Sequence, residues 1–472
     1  MLGILNSGAA ILALATPCTF AQDVPQESTP PKPPPPFQKL RYDEDYTYLR
    51  DPSASSDFWD PIKYIPLNER GDWYLSLGGE IRERFEFYDN YRWNPNSPDK
   101  DGYFLQRYLF HADAHFGESV RVFAQLQSSL EQWRAGGPRP TDEDRLDFNQ
   151  LFADLRVWAD EADNSVTLRV GRQEMMYGSQ RLISVREDPN TRRSFDAVRV
   201  LTKVGDWKID GFLAHPVGID PGIFDDRSQS DINFWGIYAS GPLPCLNGAS
   251  LDAYYLGLRR PDSTYVQGTA NEDRHSVGAR FFGKSEGFDY NLEGVYQFGS
   301  FGSGQIRAWT VASDTGYTFK DADLSPRIGL KIDVISGDGN PQDSSLGTFN
   351  PLFPRGSYFG EIGLLGPQNL IDIHPSIELH PCPEVTISAD WDIFWRYSTQ
   401  DGIYDAAGNI LRGRVGGSRY IGNQPSLGLQ WAPDRHTTFN FVYSHFFPGS
   451  YIQQTGPSAD VNFVAVWVSY RF

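Results

Sequence analysis

The sequence predicts an all-β fold, a transmembrane antiparallel up-and-down β-barrel of about 18 strands with short periplasmic turns and long extracellular loops. Three observations predict it. Polar and apolar residues alternate along segments of strand length. The connections between those segments alternate short and long. Aromatic residues make up 14% of the chain, although its mean hydropathy is only -0.45. A helical membrane protein needs apolar runs of about 20 residues, and no segment beyond the first residues supplies one. In a barrel, lipid-facing and lumen-facing residues alternate, so their hydropathies cancel while the aromatics remain.

Taken in order, residues 1–21 read as a secretory signal peptide. Their apolar run from Ala9 to Ala15 is too short to span a membrane, and Thr19-Phe20-Ala21 offers a small-residue cleavage site, although no Lys or Arg precedes the run. Residues 22–68 form a proline-rich periplasmic N-terminal segment. Its first part, to Phe37, is an extended linker. From Lys39 to Asn68 it carries Tyr42, Tyr46, Tyr48, Trp59 and Tyr64 among acids, a pattern compatible with a place inside the barrel or on its periplasmic rim. Residues 69–472 form the barrel.

The strands show period two, which sends successive side chains to opposite faces. Val120, Val122, Ala124, Leu126 and Leu130 oppose Arg121, Gln125, Gln127, Ser129 and Glu131. Ile328, Leu330, Ile332 and Val334 oppose Arg327, Lys331 and Asp333; Ile387, Ala389, Trp391, Ile393 and Trp395 oppose Ser388, Asp390, Asp392 and Arg396. Full charges of both signs on the polar side favour a watery lumen over the outer face of a sandwich. Short connections fall at Gly117-Glu118, 161–164, Gly205-Asp206, 284–286, 381–383 and 432–435. Long ones fall at 89–102, 133–147, 175–193, 216–229, 259–273, 337–369, 398–417 and 448–459. With the N-terminus in the periplasm, every long connection lies outside. The final strand ends on Phe472 with Val464, Val466, Val468 and Tyr470 on the same face. Such an ending is similar to the signal read by the barrel assembly machinery and places the chain in the outer membrane of a Gram-negative bacterium, among its lipid and lipopolysaccharide.

The net charge of -18 weighs against a nucleic-acid partner and is read first as solubility of exposed loops, with an anionic, cation-bridged lipopolysaccharide surface as the alternative. Of three cysteines, Cys18 falls in the signal peptide, while Cys245 and Cys382 fall on distant turns, so no bridge is expected. No catalytic residues emerge: Ser444 and His445 are adjacent and point to opposite strand faces, and no GxSxG turn occurs. The chain is therefore expected not to be an enzyme. Nor do the eight histidines show helix-borne metal spacing. His111 and His115 face the lumen without further ligands, and the turn from Gly337 to Gly347 lacks the closing Glu of a calcium loop. No metal or cofactor is expected.

What stands out on the lumen parity is arginine: Arg82, Arg84, Arg107, Arg121, Arg156, Arg169, Arg199, Arg280, Arg327 and Arg396. Arginine stays charged, and its planar fork pairs with carboxylates at two points. In a narrow low-dielectric passage, fixed positive charge draws anions more strongly than in bulk water. Glu80, Asp113, Asp154, Asp333 and Asp390 share those faces and offer the competing role, mutual neutralisation of a rigid wall. Tyr74, Tyr88, Trp158 and Tyr254 also have inward parity.

The stretch GRQEMMYGSQRLISVREDPNTRRSFDAVRV, Gly171 to Val200, resembles the hallmark of the alginate export family. SGDGNPQDSSLGTFNPLFPRGSYFG, Ser336 to Gly360, resembles a second family segment. The resemblance runs from about Trp59 to Phe472. It implies a monomeric barrel of about 18 strands, an electropositive constriction and passage of the uronate polymer alginate. Arg172, Arg181, Arg186, Arg192, Arg193 and Arg199 match the motif and join Arg82, Arg84, Arg107, Arg121, Arg156, Arg169 and Arg327 as the expected substrate pathway. Glu174, Glu187, Asp188 and Asp196 are expected to hold the hallmark loop folded in the lumen. The solute is then an anionic polysaccharide or, alternatively, a small anionic sugar or organic acid taken up by a porin.

Overall fold

Strands that alternate in polarity close on themselves when one face must meet lipid and no backbone edge is tolerated. The computed structural model describes residues 34–246 and 248–472. The signal-peptide reading, Cys18 and the first part of the linker lie outside those residues.

Eighteen long strands form the wall. They are β1 (Trp73–Asp89), β2 (Tyr103–Phe116), β3 (Val120–Gln132), β4 (Asp144–Ala159), β5 (Ser165–Gln173) and β6 (Phe195–Val204). Next come β7 (Trp207–Gly218), β8 (Asn233–Pro242), β9 (Ala249–Tyr265), β10 (Gly268–Ser285), β11 (Phe288–Phe301) and β12 (Gly304–Thr318). The last six are β13 (Arg327–Ile335), β14 (Leu370–Cys382), β15 (Val385–Arg396), β16 (Tyr420–Trp431), β17 (Thr437–Pro448) and β18 (Val461–Arg471). Each pairs antiparallel with the next, and β18 returns to β1 from Glu80↔Arg471 to Asp89↔Asn462. The outer face exposes Val122, Leu151, Val170, Val198, Leu213, Ile237, Val311 and Leu427, while Arg107, Gln125, Ser129, Asp333 and Asp392 are buried within. Apolar side chains outside and charges inside are what a bilayer solvent demands.

The ends differ. One carries short turns and both termini of the barrel; the other carries the long connections. Two sequence expectations change. The stretch 259–273 is not a long loop: β9 and β10 continue beyond the rim as a hairpin turning at Val266 and Gln267. Arg259 meets Asp273 at 2.6 Å and Arg260 meets Glu272 at 2.8 Å. These opposed charges stabilise a ladder, although as a linear string they read as a polar loop. Trp158 does not face the lumen. The register shifts between Arg156 and Trp158, and this bulge moves the indole to the outer face opposite Val166, where it is 49% exposed. A bulge inserts one residue and reverses parity beyond it.

Two loops, 174–194 and 336–369, fold into the loop end. They join where Ser184 N donates to Phe353 O at 3.0 Å and Phe353 N donates to Leu182 O at 2.9 Å. Around them lies the core, which includes Trp93, Met175, Ile183, Phe195, Phe349, Ile362, Phe394 and Phe446. The segment before β1 enters from the turn end. Tyr42 packs edge-on against Phe123 and Phe152, with the Arg169 guanidinium 4.2 Å from its ring centre. Its hydroxyl donates to Glu174 O at 2.9 Å. The segment therefore sits inside the mouth and touches the hallmark loop. Near its end, Lys63 lies against the wall at Gly78, where an added Cβ would meet both Lys63 Nζ and His111 Cε1 at 2.6 Å.

Candidate functional site

The hallmark loop leaves β5 at Gln173 and re-enters the wall at Phe195, and wall side chains fix its backbone. Arg82 on β1 donates to Glu187 O and Pro189 O, both at 2.9 Å. Arg107 on β2 donates to Glu187 O at 2.8 Å and pairs with Glu80 at 2.7 Å. The Asn190 amide donates to Gln106 O, Leu130 O and Asp142 O at 2.8–3.0 Å. Arg192 is the hub: it pairs with Glu174 at 2.5 Å and with Glu187, and donates to Lys39 O at 2.9 Å. The loop is thus tied to the wall through Arg82, Arg107 and Asn190 and to the N-terminal segment through Arg192 and Tyr42.

Most of the arginines singled out in the sequence are paired. Arg121 holds Asp113 and Arg169 holds Asp154, each at 2.7 Å. Arg84 pairs with Glu86 at 2.6 Å and Glu361 at 2.9 Å. Arg172 pairs with Asp196 at 2.9 Å, and Arg199 with Asp210 at 2.7 Å. Arg181 reaches Glu293 at 3.0 Å and Asp333 at 2.7 Å. Arg280 pairs with Asp252 at 2.9 Å, and Arg327 with Asp289 at 2.6 Å. Arg396, fully buried, serves residues 397–419 instead, donating to the carbonyls of Asp401, Gly416 and Ser418. Arg156 stands exposed near the turn end. Of the loop acids, Asp188 accepts from Ser357 N at 3.1 Å, linking the hallmark loop to the second loop.

Arg186 and Arg193 differ from the rest. Arg186 donates to Thr191 O at 3.3 Å and Thr191 Oγ1 at 3.2 Å. Arg193 donates to Pro354 O at 3.2 Å and lies 5.4 Å from the Phe353 ring centre. Neither has a carboxylate within ion-pair distance among the described residues. Arg186 also has φ 55°, a strained backbone for a residue with a side chain, of the kind that collects at functional sites. Both line a chamber of about 400 Å³ at the loop end. Six arginines, Arg84, Arg92, Arg134, Arg139, Arg186 and Arg193, border it against four carboxylates, Glu86, Asp188, Glu361 and Asp405. A second chamber of about 470 Å³ runs along β11 to β17, lined among others by Arg327, Lys331, Arg355, His374 and Asp390. Ser357 and Glu361 border both chambers, so the second loop is their partition.

Sequence reasoning missed Arg92, Arg134, Arg139 and Arg355 as chamber residues. The first three lie on loops, where no two-residue period exists to assign a face. Arg355 lies inside the second family segment, which was the one available signal.

Residues 73–466 match the family model described as alginate export. No curated protein matches the chain. Among solved structures, the chain is similar to Pseudomonas aeruginosa OccK2 (OpdF) in complex with glucuronate, at 12% identity and TM-score 0.54 over 84% of this chain and 98% of that one. It is similar to P. aeruginosa OccD3 (OpdP) at 12% identity and TM-score 0.55, over 89% and 96% of the two chains. For P. aeruginosa OccK8 (OprE) the values are 13%, 0.55, 84% and 98%. At these identities the likeness is one of fold.

Proposed function

The chain belongs to the alginate export family and is a Gram-negative outer-membrane channel, and from that premise we propose that it passes sugar carboxylates through the loop-end chamber. The observation that carries this reading is the pair of guanidinium groups, Arg186 and Arg193, left without a carboxylate where the two loops meet. A half-buried cation without a counterion is costly, and a passing carboxylate relieves that cost by taking its two-point geometry. Wall arginines already matched to acids have little left to offer a solute.

The chamber volume, about 400 Å³, falls in the range of roughly 300–1,000 Å³ common for small-molecule sites. It suits a single sugar acid or a short uronate in the arrangement described, and the glucuronate complex of OccK2 is consistent with that class. A polymer is the second reading, favoured by the family itself. It requires the joined loops and residues 36–68 to part.

Reversal potentials in planar bilayers under a salt gradient test the proposal. Anion preference in the wild type, reduced in the double variant Arg186→Gln/Arg193→Gln, is the expected result; cation preference in the wild type overturns it. Current block by a polyuronate chain, compared with flux of glucuronate into liposomes, separates the two solute sizes.

A further inference from the structure

On β14 and β15, alternation puts Asp372, His374, Asp390 and Asp392 on the lumen side. Asp372 lies opposite Phe394 and Ser376 opposite Asp390, so the same register brings His374 level with Asp392. His374 Nδ1 is 2.9 Å from Asp392 Oδ1 and 4.0 Å from Asp372 Oδ2. One donor atom from each of these three residues lies within 4.8 Å of the others. The other imidazole nitrogen, Nε2, is 3.4 Å from Asp390 Oδ1.

The carboxylates are poorly satisfied. Asp372 and Asp392 are both 0% exposed. Neither oxygen of Asp372 has a hydrogen-bond partner among the described residues, and Asp392 Oδ1 and His374 Nδ1 have none beyond their own 2.9 Å ion-pair contact. Among the described residues, Asp392 Oδ2 accepts only from Gln424 Nε2, at 3.1 Å. The neighbouring cations are engaged elsewhere: Arg181 pairs with Asp333 at 2.7 Å and Glu293 at 3.0 Å. Lys331 lies 3.4 Å from Asp333 and donates to Tyr358 O at 3.0 Å. Asp372, Asp390 and Asp392 are left with a single imidazole between them. Buried carboxylate oxygens without partners call for an explanation, and a cation is the direct one.

We propose that Asp372, His374 and Asp392 bind a divalent transition-metal ion in the lumen wall, with Asp390 as the positioning residue for the imidazole. One imidazole nitrogen with two carboxylate oxygens suits Zn²⁺ or Mn²⁺ better than Ca²⁺ or Mg²⁺, which prefer all-oxygen sets. A ligating histidine ordinarily gives its second N–H to a carboxylate, and Asp390 stands on that side. His374 borders the larger chamber, which supplies the route of entry. Three protein ligands leave a coordination position for water. The site is independent of which solute the channel carries.

The test uses the full-length protein in detergent, stripped with a chelator, titrated with Zn²⁺ and assayed by elemental analysis and calorimetry. The expected result is a single Zn²⁺ retained per chain, with a raised melting temperature. Asp372→Asn abolishes both effects, while heat-modifiable migration on gels shows that the barrel persists. Should that variant fail to fold, Asp390→Asn, whose carboxylate is less buried, gives a weakening of about 10- to 100-fold. The separate acidic trio Asp144, Asp147 and Asp226 is the internal control: Asp226→Asn leaves Zn²⁺ binding unchanged. Wild-type protein that takes up no stoichiometric Zn²⁺, or whose melting is indifferent to it, overturns the site and assigns the balance to a shared proton. Full binding retained in Asp372→Asn overturns it equally.

Discussion

The loop-end chamber and the wall cluster reached through His374 beside the second chamber carry opposite imbalances. Around Arg186 and Arg193, guanidinium groups exceed carboxylates by six to four. Around His374, Asp372 and Asp392, buried carboxylates exceed the cations free to meet them. Elsewhere the wall is balanced pair by pair, as in Arg121 with Asp113 and Arg169 with Asp154. The difference separates two uses of lumen charge. A pair set by strand register braces the wall, because each charge has its partner at a fixed place. A charge imbalance is what the proposed solute and metal ion would complete from outside the chain.

The comparison breaks most visibly in stability. Arg192→Met strips Glu174 and Glu187 of their shared guanidinium, and losing one partner of such a buried set costs about 3–5 kcal/mol. Arg193→Met removes no acid's partner and is expected to cost about 1 kcal/mol, as for one modest hydrogen bond. Urea unfolding of both variants measures the contrast, and equal losses would erase the distinction between braced and unbraced arginines. A smaller effect is expected at Gly78. Gly78→Val collides with Lys63 and His111, so residues 36–68 should become protease-sensitive and conductance should rise several-fold. Unchanged conductance would show that the segment does not obstruct the mouth.

The smallest effect is one of pH. Burial, with like-charge repulsion from Arg41, pulls the Lys63 ammonium down to about 7, while Glu44 and Asp57 act against the shift. Docked, Lys63 therefore holds its proton less well than in the free segment, where its ordinary value is 10.5. Docking is strongest above that value and weakens as pH falls toward about 7, below which it changes no further. Conductance should rise over that descent, and Lys63→Met should flatten the profile.

Much of the wall was legible because lipid on one side and water on the other enforce strict alternation. Arg82, Arg107, Arg121 and Arg169 fall on the lumen side as parity requires. Trp158 escaped because a bulge reverses parity without any mark in composition. Residues 259–273 escaped because opposed charges on a projecting hairpin look like a solvated loop. Ion-pair partners were not legible either, since cross-strand register is set by turns and bulges rather than by local spacing. His374 and Asp392 meet across a hairpin, so a search for ligands at helical spacing passes over them. The joining of the two loops at Ile183 and Phe353 rests on chain segments more than a hundred residues apart, which no periodicity connects.

The contacts of Arg41 bear on how the molecule is completed. Its guanidinium donates to Gly79 O at 2.8 Å and to Phe472 O at 2.9 Å. Those oxygens also accept from Phe472 N at 3.0 Å and Gly79 N at 2.8 Å in the final rung between β18 and β1. Every other junction in the wall joins strands adjacent in sequence, whereas this one brings together the two ends of the barrel and bears the largest loop-closure entropy. Arg41 finds both acceptors side by side only after that rung exists. Arg41 is thus a clasp across the closing seam, and its paired contacts mark a barrel whose two ends have met.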